Sequence, residues 1–137
     1  MLESISRITV RYQETDRMGI AYHSNYLIWC EIGRTEFFKK ICVSYPDLEK
    51  KGYYLVVTEA QLSYKSPVTY EDEVEVITTL EKYENCSMSF TYTLTSNDRI
   101  IAQAKTHHAF VDLKGKVIKI PSIINNVLSD EISSTNI

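Results

Sequence analysis

Tyr12, Asp16, Gly19 and His23 fall within one short run, YQETDRMGIAYHSNY, from Tyr12 to Tyr26. A carboxylate, a turn-former and an imidazole thus stand directly before a long apolar-periodic segment. A helix that starts there presents unpaired backbone N–H groups and about half a positive charge. Aimed at a carbonyl oxygen, such donors stabilise an oxyanion. A carboxylate a few residues upstream, folded back by glycine, reaches the same carbonyl carbon or a water beside it. Asp16 is therefore a candidate nucleophile or general base. The N–H groups near His23 and Ser24 are the candidate oxyanion donors. The spacing has a plainer reading too, in which Asp16 satisfies backbone N–H groups of a turn and His23 caps the helix.

The elements that must position these residues follow from periodicity. Ile5 to Tyr12 alternates and predicts a first strand. From about Ser24 to Val43, residues Tyr26, Trp29 or Cys30, Gly33, Phe37 and Ile41 recur at helical spacing, with Glu31, Arg34, Lys39 and Lys40 mostly elsewhere. Ser24 is the predicted N-cap, and Lys39 and Lys40 suit the negative end of the helix dipole. Gly33 costs roughly 1 kcal/mol inside a helix, which is understandable if another backbone packs closely there. Pro46 to Gly52 reads as a connector. Four strands are predicted next: Tyr53 to Tyr64, Glu73 to Glu84, Asn85 to Thr95 and Ile100 to Asp112. A short edge at Val117 to Ile120 and a final helix from Pro121 to about Ile132 complete one domain over 1–132, with 133–137 as a frayed tail. One long helix and a run of antiparallel strands bury each other best as an α+β layer, the sheet wrapped around the helix. The far sheet face and the edges then need cover, which favours an oligomer.

Composition narrows the partners. The chain has 137 residues, 44% of them hydrophobic, and a net charge of −3 with no polybasic run. Nucleic acid and anionic membranes are poor partners for such a surface. Three scattered cysteines, Cys30, Cys42 and Cys86, make no disulfide framework and fit a reducing compartment. No apolar stretch reads as a signal peptide or a membrane span, so the expected location is the cytoplasm. No metal is expected: His107 and His108 are adjacent on a predicted strand and point to opposite faces, and His108 shares its face with Ala104 and Phe110 as a core residue. No nucleophile elbow or glycine-rich phosphate loop occurs.

The string Tyr12-x-x-x-Asp16-x-x-Gly19-x-x-Tyr22-His23-x-x-Tyr26, followed by a Trp-bearing helix, resembles the 4-hydroxybenzoyl-CoA thioesterase-like family, and within it the YbgC-type acyl-CoA thioesterases. Tyr64-x-x-Pro67, Asp72 and Val111-Asp112-Leu113 extend the resemblance to about Pro121. It implies the hotdog fold, a sheet wrapped around one long helix. It implies a homodimer or homotetramer with active sites at a subunit interface. It maps the catalytic aspartate to Asp16, its companions to Tyr12 and His23, and the thioester carbonyl to the backbone N–H of His23. The implied substrate is an acyl-CoA, or an acyl carrier protein thioester. No cofactor is implied, CoA entering as part of the substrate. Lys65, Lys82 and Lys105 are candidates for its phosphates by charge alone, and Glu59 is a lesser candidate acid. Two alternatives stay open: a hotdog hydratase or dehydratase acting on acyl thioesters, and a non-catalytic acyl-thioester-binding module.

Overall fold

The computed structural model describes residues 2–135. Its sheet has five antiparallel strands in the order β1-β3-β4-β5-β2. They are β1 (Glu3–Thr9), β2 (Tyr54–Tyr64), β3 (Glu73–Glu84), β4 (Ser87–Ser96) and β5 (Arg99–Val111). The helices are α1 (Asn25–Lys40), α2 (Tyr45–Lys50) and α3 (Ser122–Thr135). The hotdog arrangement predicted from the sequence is present, with α1 packed on the inner face of the sheet.

That packing follows from two matched patterns. In β4, Met88, Phe90, Tyr92 and Leu94 are all buried, while the intervening Thr91 and Thr93 face outward. In α1, Tyr26, Trp29, Cys30, Gly33, Phe37 and Phe38 supply the facing stripe. Phe37 meets Phe90 edge-on at 5.3 Å between ring centroids. Each buried aromatic of this kind contributes roughly 1.5–3 kcal/mol. Gly33 sits where α1 comes closest to β3: a Cβ there would overlap Thr78 Oγ1 and lie 3.0 Å from Val76 Cγ1.

Several boundaries and faces differ from the sequence reading. The first strand stops at Thr9, and Tyr12–Glu14 forms a 3-10 turn, so Tyr12 does not belong to β1. The short edge expected at Val117 to Ile120 reduces to a single bridge between Val117 and Val111. The helix α3 runs past Ile132 to Thr135, so the predicted tail begins within it; residues 136–137 lie outside the described residues.

Arg34, read with the charged residues that lie mostly off the apolar stripe, is buried. Its guanidinium donates to the Tyr92 hydroxyl at 3.1 Å, Tyr92 and Thr106 hydroxyls share a bond of 2.7 Å, and Thr106 Oγ1 lies 2.7 Å from His108 Nε2. His108 is a core residue as expected, but its Nδ1 has no hydrogen-bond partner among the described residues. Burial, helped by the charges of Arg34 and His107, pushes its pKa from 6.5 down to about 3.

Candidate active site

The run that opens the site is built around Glu14, which the sequence reading passed over. Glu14 is 5% exposed. Its carboxylate accepts the Arg11 N–H at 2.8 Å and the Trp29 indole N–H at 2.9 Å. Its carbonyl accepts the Tyr22 N–H at 2.8 Å and the Asn25 side-chain amide at 2.9 Å. One acidic residue thus ties the 3-10 turn, the approach to α1 and the buried face of α1 together. The signal for it lay in Trp29, a buried indole that needs an acceptor.

Between Thr15 and Ala21, which form an isolated bridge, the chain makes a tight turn. The Gly19 N–H donates to the Asp16 carbonyl at 2.9 Å, and Gly19 has φ +79°, the left-handed region where glycine is at ease. Asp16 Oδ1 accepts the Met18 N–H at 2.8 Å. The structural role weighed for Asp16 therefore occupies one carboxylate oxygen. Oδ2 has no protein donor among the described residues, which leaves it available for chemistry.

The helix mouth lies beside this carboxylate. Asp16, Ile20, Ala21, His23, Tyr26 and Tyr64 are among the residues lining a cavity of about 430 Å³, together with Lys65 and Pro67. Among the described residues, the backbone N–H groups of His23 and Ser24 have no protein acceptor. Ser24 occupies the N-cap position but makes no capping hydrogen bond with its side chain; Asn25 does the tying instead. The His23 imidazole rests against the Tyr22 ring at 4.3 Å.

Asp16 and His23 are thus brought together, whereas Tyr12 is set apart from His23. It is 70% exposed, pairs with the Tyr70 ring at 5.8 Å, and lines a second, larger cleft of about 920 Å³ that shares Asp16 and Tyr22 with the first. Arg17 lines that second cleft and makes no ion pair with Asp16. Glu59 is removed from the site. A bulge between Val57 and Glu59 puts the two on opposite faces of β2, Val57 pairing with His108 and Glu59 with His107, and Glu59 holds the Gln61 side chain at 2.9 Å. Of the candidate phosphate-binding lysines, Lys82 is paired with Glu84 at 3.1 Å and Lys105 with Glu81 at 2.8 Å. Lys65 has no ion pair among the described residues and lines the Asp16 cavity. Asp72 and Asp112 serve the backbone, accepting the N–H groups of Thr69 and of Lys114 and Lys116.

Sheet, central helix and helix-mouth cavity together define a hotdog-fold, thioesterase-like domain. The Thioesterase-like superfamily matches residues 10–129, and the chain belongs to that family. It is similar to YneP of Bacillus subtilis (strain 168), named as a putative acyl-CoA thioesterase, with 39% identity over 110 residues and 80% of each chain covered. The acyl-CoA thioester hydrolase YbgC of Escherichia coli O157:H7 is 27% identical over 119 residues, 85% of this chain and 89% of that one. A DHNA-CoA thioesterase from Staphylococcus aureus superposes with a TM-score of 0.92 at 30% identity, covering 99% of this chain and 95% of the other. Among the described residues no helix is long and apolar enough to cross a membrane.

Proposed function

We propose that the chain is an acyl-CoA thioesterase, cleaving an acyl-CoA to a free acid and CoA. The observation that carries this reading is the shared cavity: the Asp16 carboxylate and His23, at the N-terminal mouth of α1, line one space. A thioester carbonyl seated there meets a negative group and N–H donors together. Negative charge that develops on its oxygen is stabilised by the N–H groups and the positive end of the helix. Two routes use the same carboxylate. Asp16 attacks the acyl carbon to give a mixed anhydride that water opens, or it takes a proton from water as water adds. In both, the C–S bond breaks, and the departing CoA sulfur takes up the proton released by the water that ends in the free acid. His23 orients the carboxylate, the water or the thioester, and Tyr12 lines the approach from the second cleft. Lys65 lines the same cavity, has no ion-pair partner among the described residues and suits a CoA phosphate. No cofactor enters the proposal; an acyl carrier protein thioester is a second form of the same substrate. The free cysteines agree with a cytoplasmic setting.

The test is thiol release from acetyl-, decanoyl-, palmitoyl- and benzoyl-CoA. At least one is turned over, Asp16→Asn lowers kcat by about 10²–10⁴-fold, and His23→Ala lowers it less. Wild-type turnover in Asp16→Asn, or no hydrolysis of any of the four, overturns the reading.

A further inference from the structure

Tyr64, the last residue of β2, also lines the cavity and reaches the helix mouth from the sheet. Its hydroxyl donates to the His23 carbonyl at 3.1 Å. Its ring stands edge-on to Tyr26 at 5.0 Å, and Tyr26 leans on Trp29 at 4.8 Å. Trp29 in turn donates to Glu14.

Two peptide planes flank His23, and each is held. The one before it is held through the Tyr22 carbonyl, which accepts the Asn25 N–H at 3.1 Å and the Asn25 side chain at 3.3 Å. The one after it is held through the His23 carbonyl, which accepts the Tyr26 N–H at 3.3 Å and the Tyr64 hydroxyl at 3.1 Å. Peptide units are planar, so fixing both planes fixes φ and ψ of the residue between them. The direction of the His23 N–H is thereby set, as is the direction in which its imidazole leaves the backbone. Among the described residues, the Tyr64 bond is also the one hydrogen bond on His23 that comes from the sheet rather than from neighbouring residues of the helix mouth. A hydrogen bond to the carbonyl further polarises the peptide that carries the Ser24 N–H.

We propose that Tyr64 is a positioning residue for thioester hydrolysis, its hydroxyl clamping the His23 carbonyl so that the helix-mouth donors meet the charge that develops on the substrate oxygen. This rests on the thioesterase reading above. It assigns Tyr64 a role in turnover rather than in binding, because the oxyanion is fully formed only after the ground state.

The variant that separates this from packing is Tyr64→Phe, which keeps the ring on Tyr26 and removes only the hydroxyl. On the fastest acyl-CoA of the four, kcat falls about tenfold, as loss of a hydrogen bond worth roughly 1.4 kcal/mol in the transition state requires. KM stays within about twofold, and the thermal midpoint stays within a few degrees. The amide ¹⁵N resonance of Ser24 shifts, since its peptide has lost a carbonyl partner. Wild-type kcat in Tyr64→Phe overturns the proposal, as does a loss confined to KM or one that follows a fall in thermal midpoint. Asp16→Asn measured alongside keeps the two claims apart: an inactive Asp16→Asn with an unimpaired Tyr64→Phe removes the clamp alone, whereas a fully active Asp16→Asn removes the reading beneath it.

Discussion

Glu14 receives two N–H donors on its carboxylate and two on its carbonyl, and each comes from a segment that shapes the Asp16 turn or the mouth of α1. Glu14→Ala leaves the Trp29 indole N–H buried without an acceptor. Loss of that bond destabilises the fold by about 1–3 kcal/mol, measurable by denaturant unfolding, and kcat drops although Asp16 is untouched. A Glu14→Ala protein of wild-type stability and rate would contradict the bracing role. Asp16, Gly19 and His23 stood out in the sequence as candidates because they are close together and chemically distinctive. Glu14 was not, since an acid in a polar run reads as solvated and its decisive partner is 15 residues away. Tyr64 was visible only as part of a resemblance. Nothing in its neighbours reports that its hydroxyl reaches a carbonyl 41 residues earlier.

At the scale of elements, the strands β3, β4 and β5 were legible because each alternates regularly over a long stretch, 73–80, 90–96 and 102–110. The errors lie where a tertiary contact overrides the local pattern. Arg34 sits on the buried stripe because Tyr92 accepts from it across the helix–sheet interface. Glu59 does not share the face of Val57, as strict alternation along β2 would require, because of the bulge. Gly33 was read as a point of close backbone approach; the close neighbours are instead the Thr78 and Val76 side chains, and the consequence is testable. Gly33→Ala gains about 1 kcal/mol of helix propensity but pushes a methyl into Thr78, at a cost of about 1–3 kcal/mol. A net loss of stability is expected, and Thr78→Ala in the same chain restores it; equal losses in the single and double variants would contradict the contact. His108 supplies a pH dependence. Its folded pKa lies below its ordinary 6.5, at about 3, so the unfolded chain binds a proton that the folded chain refuses. Its contribution to stability is therefore fully present above about pH 6.5 and is lost as pH falls from there toward 3. His108→Gln removes this part of the acid limb, reducing proton uptake on unfolding near pH 5 by about one. An unchanged limb in the variant would contradict it.

For the whole molecule, the notable surface is unpaired. The strand β2 ends the sheet with a free edge, and Val57 on it is 51% exposed. Leu27, Ile28 and Ile32 are exposed on the outward face of α1. Free edges and apolar stripes of this kind favour association, which supports the expected homodimer or homotetramer, whose active sites the resemblance puts at a subunit interface. Sedimentation should give a mass at least twice the 15.8 kDa of the chain, and Val57→Lys should lower it together with kcat; a fully active monomer would contradict the assembly. The central claim is that the Asp16 carboxylate and the mouth of α1 converge on one thioester carbon. The most direct measurement is a crystal structure of Asp16→Asn holding an intact acyl-CoA. The account predicts the thioester carbon about 3–3.5 Å from the side chain at position 16 and its oxygen about 2.7–3.1 Å from a helix-mouth N–H. A thioester bound in the Asp16 cavity with its oxygen turned away from His23 and Ser24, or bound elsewhere on the chain, would contradict it.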